Sequence, residues 1–143
     1  MSAWIAPGPS EVLALLQSVR TIAIVGVSAN PQRASYEVAD YLVTESDYEI
    51  HLVNPMLDSL FGRPVHASLA EVPIVPDLVD VFRRQPEVLG VADEAIAVGA
   101  RCLWLQLGLY DEIAAARSSS AGMTVVMDRC LKTEHARFRH RLG

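Results

Sequence analysis

Lysine is almost absent from this chain: Lys132 stands alone against eleven arginines. Cysteine is nearly as scarce, with only Cys102 and Cys130. Two thiols cannot build a disulfide framework, so a reducing compartment, the cytoplasm, is the expected setting. No stretch approaches eighteen uncharged apolar residues, so no membrane-crossing helix is expected. The opening residues lack a basic segment followed by an apolar one, so no secretory signal is expected either. Positive charge is short overall. The net charge of -5 argues against broad nucleic-acid binding, which needs a basic face, even though the last residues are locally basic. The basic charge that is present is guanidinium, which suits paired bonds to phosphate, although codon bias explains an arginine excess equally well. Internal repeats, low-complexity tracts and a composition break that would mark a second domain are all missing.

What remains is a chain of 143 residues, 51% hydrophobic and 20% charged, long and apolar enough for one folded domain. It is organised around Thr21 to Leu42. Ile22 to Val25 form a short apolar run suited to a strand covered on both faces. Gly26 stops that strand and permits a sharp turn and close approach of a ligand to the backbone. Ser28, Asn30 and Pro31 are turn formers. Ser35 is placed to cap a helix whose Val38, Tyr41 and Leu42 share a face. Such a helix points its free N–H groups at the loop, which makes an anion site. Upstream, residues 1–19 read as an arm to Pro9 and a helix over Glu11 to Ser18 capped by Ser10, ahead of a domain over 20–143. Downstream, strands are expected at Glu49 to Val53, Asp77 to Phe82, Arg101 to Gln106 and Met123 to Met127. Met56 to Arg63 reads as a loop and Val65–His66 as a short edge strand. Helices are expected from Pro86 to Gly99, over Asp111 to Ser119, and, polar and basic, over Glu134 to Arg141. The alternation predicts an α/β fold: a single Rossmann-like domain with a five-stranded, mainly parallel sheet and helices on both faces.

In such a sheet, ligands bind beyond the carboxyl ends of the strands. The residues that follow the strands are therefore the candidates: Gly26, Val27, Ser28, Arg33 and Ser35 after the first, Asn54 and Pro55 after the second, and Arg83, with Arg84 weaker, after the third. Gln106 and Gly108 follow the fourth, and Cys130 the fifth. A nicotinamide or flavin dinucleotide calls for GxGxxG and an acidic residue about twenty positions on. Here the loop is Gly26-Val27-Ser28-Ala29-Asn30-Pro31 and the second strand ends on Asn54, so both features depart from that pattern.

At these residues the sequence resembles the small stand-alone CoA-binding proteins, whose domain is similar to the CoA-binding domain of the succinyl-CoA synthetase alpha subunit. The resemblance rests on IVGVSANPQRASYEVADYL, VNP at Val53 to Pro55, DVFRR at Asp80 to Arg84, EAIAVGA at Glu94 to Ala100, WLQLG at Trp104 to Gly108, and VVMDRC at Val125 to Cys130. It implies coenzyme A, or an acyl-CoA, as ligand, and it does not imply catalysis, because the domain carrying the synthetase's phosphorylated histidine has no counterpart in these motifs. The loop amides, Arg33 and Arg83 are then expected to hold phosphates, Asn54 the ribose or adenine edges, and Gln106 and Gly108 the pantetheine arm. An NAD(P)-linked oxidoreductase and an accessory subunit of an acyl-CoA synthetase remain as alternatives, and a homo-oligomer stays open. Cys130, near Arg129 and Lys132, is a candidate for a mixed disulfide with the CoA thiol, against the ordinary reading of an inert buried thiol. Cys102 and Trp104 read as core. The histidines show no metal-ligand spacing with the cysteines, and Glu134–His135 reads as a solvated helix face.

Overall fold

The computed structural model describes residues 4–142, so the reading of residues 1–3 as arm, and of Gly143 as the end of the domain, lies outside the described residues. Seven strands form one sheet: β1 (Thr21–Val25), β2 (Glu49–Val53), β3 (Ser59–Leu60), β4 (Arg63–His66), β5 (Leu78–Val81), β6 (Cys102–Leu105) and β7 (Thr124–Val126), in the spatial order β3-β4-β2-β1-β5-β6-β7. The five expected strands are β1, β2, β5, β6 and β7. The sheet is wider because the expected edge strand is real and pairs parallel with β2, through Leu52–Val65 and Val53–His66. It also folds back on β3 as an antiparallel hairpin within the stretch read as a loop. All other pairings are parallel, so the fold is α/β and Rossmann-like.

Five helices cover this sheet: α1 (Pro9–Ser18), α2 (Ala34–Glu45), α3 (Val88–Val98), α4 (Glu112–Ser120) and α5 (Leu131–Arg137). Period decides which face each covers. Val12 and Leu16 of α1, Val38, Ala39 and Leu42 of α2, and Leu131 of α5 bury against Ile22, Ile24, Leu52, Leu78, Cys102 and Trp104. Val88, Val91, Ala92 and Ala95 of α3 and Ala114 and Ala115 of α4 bury against Ala23, Val25, Val79, Val81, Leu103 and Leu105 on the other. Successive strand residues therefore alternate between two apolar layers, which is why these strands read as continuous apolar runs. The N-terminal helix belongs to this core, and the arm before it is anchored: the Trp4 indole donates to Val125 O at 2.9 Å.

The chain leaves β1 to one side for β2 and the edge hairpin, then crosses back to β5 on the other side. That reversal between β1 and β5 is the switch point at which open α/β sheets place their ligands.

Candidate functional site

Beyond the carboxyl ends of the strands, from β1 across to β7, lies a cleft of ≈ 470 Å³. Eight of the residues expected from sequence line it: Gly26, Ser28, Arg33, Ser35, Arg83, the weaker candidate Arg84, Gln106 and Cys130. Phe82, read from sequence as core, and Leu107 and Leu109, on either side of the candidate Gly108, give it an apolar wall.

The loop after β1 is built from its own polar groups. Gly26 N–H donates to Val53 O at 2.9 Å, Ser28 N–H to Ser35 Oγ at 3.0 Å, Asn30 N–H to Ser28 Oγ at 3.0 Å, and Gln32 N–H to Asn30 Oδ1 at 3.0 Å. Two expectations change as a result. Ser35 lies inside α2, whose N-cap is Arg33, and its hydroxyl closes the loop instead of capping the helix. The Ser28 amide is thereby spent within the protein. The N–H groups of Ala34 and Ser35 in the first helical turn have no acceptor among the described residues. They are the orphan donors that every helix start leaves.

Gly26 is required for a reason other than ligand approach. Its φ is +90°, and a Cβ there would stand 2.1 Å from the Phe82 carbonyl oxygen. The backbones leaving β1 and β5 pass too closely for any side chain.

Arg33 and Arg83 have no salt-bridge or hydrogen-bond partner for their guanidinium groups among the described residues, and the Arg83 Nε is fully buried without one. Arg84 is exposed and spends its charge on Glu87 at 3.5 Å. Gln106 is 5% exposed. Its Oε1 accepts from Leu131 N–H at 3.1 Å, which fixes the amide so that Nε2 is the free end. Cys130 is half-buried and sits at the start of α5. The peptide before it is tied by Trp104 Nε1, which donates to Arg129 O at 2.8 Å. The cations near Cys130 are occupied, Lys132 with Glu37 at 2.7 Å and Arg129 with Glu134 at 3.8 Å.

Four expected residues stand outside the cleft lining. The Val27 side chain is wholly buried in the core. Asn54 uses both ends of its amide locally, donating to Val27 O at 2.7 Å and accepting from Met56 N–H at 2.8 Å, so it braces the loop. Pro55 is exposed beside it. Gly108 lies in the next turn, where its N–H donates to Asp128 Oδ1 at 2.7 Å. The solvated face expected at Glu134–His135 is instead buried: His135 Nδ1 is bonded to the Tyr41 hydroxyl of α2 at 2.8 Å, and Glu134 is enclosed by Arg129 at 3.8 Å and Arg137 at 3.5 Å.

Asp80 was not singled out from the sequence. It is completely buried in β5 between Ile24 and Trp104, and neither carboxylate oxygen has a partner. Burial, and after it the charge of nearby Cys130, pushes its pKa well above the ordinary value, which favours the neutral acid. Burial likewise raises the Cys102 thiol.

A Rossmann-like sheet with this loop and this rim defines a nucleotide-binding protein class. Residues 20–136 match the family described as CoA binding domain, and the chain belongs to it. It is 38% identical over 130 residues to the uncharacterized protein YneT of Bacillus subtilis (strain 168), covering 91% of this chain and 96% of that one. A hypothetical protein from Pyrococcus horikoshii OT3 superposes with a TM-score of 0.88 at 28% identity, covering 96% of this chain and 98% of that one. The dinucleotide-forming acetyl-coenzyme A synthetase 1 of Ca. Korarchaeum cryptofilum shares the fold, with a TM-score of 0.71 at 24% identity over 79% of this chain and 27% of that one.

Proposed function

We propose that this chain binds coenzyme A or an acyl-CoA across the cleft and does so without catalysing a reaction. The observation that carries the reading is a row of unspent donors around one groove: the Arg33 and Arg83 guanidiniums, the Ala34 and Ser35 N–H groups at the start of α2, and the Gln106 amide. A buried guanidinium nitrogen without a partner fits an anion as its missing acceptor. Arg33, Arg83 and the α2 amides are therefore assigned to phosphates. Phe82, Leu107 and Leu109 are assigned to the apolar stretches of the pantetheine arm, and Gln106 to one of its carbonyls. Asn54 and Ser35 hold the loop in shape for this task. The domain expected over 20–143 is proposed to carry the site, with α1 packed into the same core.

A panel of coenzyme A, acetyl-CoA, NAD, NADP and FAD in a thermal-shift experiment tests the assignment. A ligand at a hundred times its dissociation constant adds about 2.7 kcal/mol, which moves the midpoint of a domain this size by several degrees. Coenzyme A and acetyl-CoA are expected to raise the midpoint, and stabilisation by NAD alone would overturn the reading.

A further inference from the structure

Cys130, half-buried, lines the cleft beside Gln106 and Leu107, and it also lines a second groove with Pro9, Asp128 and Arg137. Gln106 gives an independent sign of a ligand there. It is nine-tenths buried, its oxygen is held by Leu131 N–H, and its Nε2 has no acceptor among the described residues although the side chain lines the cleft. A ligand carbonyl is the acceptor it lacks.

The cleft gathers groups for both ends of such a ligand. The loop, the α2 start and Arg83 offer donors to an anion, and Gln106 and Cys130 line the same cleft. Cys130 is drawn in over β6, since Leu131 N–H is held by Gln106 Oε1 and Arg129 O by Trp104 Nε1. A phosphate-anchored ligand with a thiol at its far end shares the cleft with Cys130. This rests on the assignment of coenzyme A to the cleft.

We propose that Cys130 exchanges with the disulfide form of coenzyme A to give a mixed disulfide seated in the cleft. The Cys130 thiolate attacks one sulfur of CoA disulfide; the CoA sulfur–sulfur bond breaks, the Cys130–CoA bond forms, and the second CoA leaves as a thiolate that takes up the proton Cys130 gave. CoA disulfide is the oxidant, and no other co-reactant is needed. Because Lys132 and Arg129 are already paired, the rate advantage comes from docking, which holds the two sulfurs together. Cys102 takes no part, since it is fully buried in β6 and its thiol is held protonated.

The test is intact-protein mass spectrometry after treatment with CoA disulfide or with pantethine, which carries the same disulfide without the nucleotide. Coenzyme A affinity is measured in parallel by calorimetry on wild type and Cys130→Ser. Wild type is expected to gain one CoA moiety at Cys130 about ten-fold faster than it gains pantetheine, the effect of roughly 1.4 kcal/mol of docking energy. Adenosine 3′,5′-bisphosphate is expected to slow the first reaction and leave the second unchanged. Cys130→Ser is expected to bind coenzyme A and take no label, and Cys102→Ser to be labelled like wild type. If wild type binds coenzyme A but Cys130 reacts equally fast with both disulfides, or with neither, this inference fails while the binding assignment stands. If wild type binds no coenzyme A, both fall.

Discussion

Asp77 and Asp80 stand three residues apart along one strand, in opposite conditions. Asp77 is at the rim where the strands begin. Its Oδ2 accepts from the N–H groups of Arg20 at 2.8 Å and Thr21 at 3.2 Å, and Arg101 closes an ion pair on Oδ1 at 3.1 Å. Burial alone would raise its pKa, but those N–H groups and the guanidinium outweigh it and hold the carboxyl below its ordinary value. Asp80 lies inside the strand, wholly buried under the α2 and α5 layer. Burial raises its pKa and nothing offsets it. The contrast holds for the two rims as well. At the strand starts the polar groups of β1, β5 and β6 satisfy one another, which makes that rim a clasp. At the strand ends, donors on Arg33, Arg83, Gln106 and α2 await acceptors that the described residues do not supply. Polar groups are satisfied at one rim and left unspent at the other.

The largest effect expected at the strand-end rim is structural. Gly26→Ala forces a Cβ into the Phe82 carbonyl at a left-handed φ. Overpacking and the conformational penalty together cost about 2–5 kcal/mol, read by urea denaturation. Gly108→Ala, at φ +90° but with nothing within 4 Å, is the control and costs only the conformational part. Equal losses at the two positions would mean that strand crowding does not fix Gly26.

Asp80→Asn comes next. With its native pKa raised, Asp80 keeps a proton that the unfolded chain releases, so wild-type stability falls as pH rises from the unfolded carboxylate range up to the native pKa. The slope is at most about 1.4 kcal/mol per pH unit. The variant is expected to overtake wild type progressively on going from acidic to neutral pH. A constant difference across that range would show Asp80 to be ordinary.

Arg33→Ala should weaken coenzyme A binding by about 1.5–3 kcal/mol, the scale of a hydrogen bond to a charged group. Calorimetry giving an unchanged affinity removes Arg33 from the site. Asp77→Asn should cost about 1.5 kcal/mol at neutral pH. Because the native pKa of Asp77 is lowered, its contribution is present above the unfolded carboxylate range and vanishes as pH falls through the native value. Its pH profile should therefore run opposite to that of Asp80→Asn. The smallest effect is reserved for Arg84→Ala, whose exposed pairing with Glu87 leaves it less than about 0.5 kcal/mol of influence on stability. A loss of coenzyme A affinity matching that of Arg33→Ala would make Arg84, which lines the cleft, a phosphate ligand as well.

The framework was legible because its signals are long or forced. The run Ile22 to Val25, the stop at Gly26 and the spacing of Val38, Tyr41 and Leu42 admit few readings, and together they locate the switch point. The edge hairpin was only half legible, since β3 has two residues and β4 carries Pro64. Ser35 misled because a hydroxyl near a helix start bonds equally well to its own helix or to a neighbouring loop, and only the return of Ser28 decides. Asp80 was hidden by alternation. Asp80 alternates with Val79 and Val81, a pattern common to strands with one wet face, but α2 and α5 cover that face and leave the acid dry. Glu134 and His135 were hidden by company. Lys132, Arg137 and Arg139 make the segment look solvated, but His135 turns onto Tyr41 and Glu134 is enclosed by Arg129 and Arg137.

The central claim, that the strand-end rim is the coenzyme A site, is met most directly by a crystal structure of the protein soaked with coenzyme A. Ligand density is predicted along the cleft, with phosphates at Arg33, Arg83 and the start of α2 and the thiol toward Cys130. Density in the groove at the opposite rim, between Arg20, Tyr48 and Arg141, or a cleft left bare at saturating ligand, would contradict it.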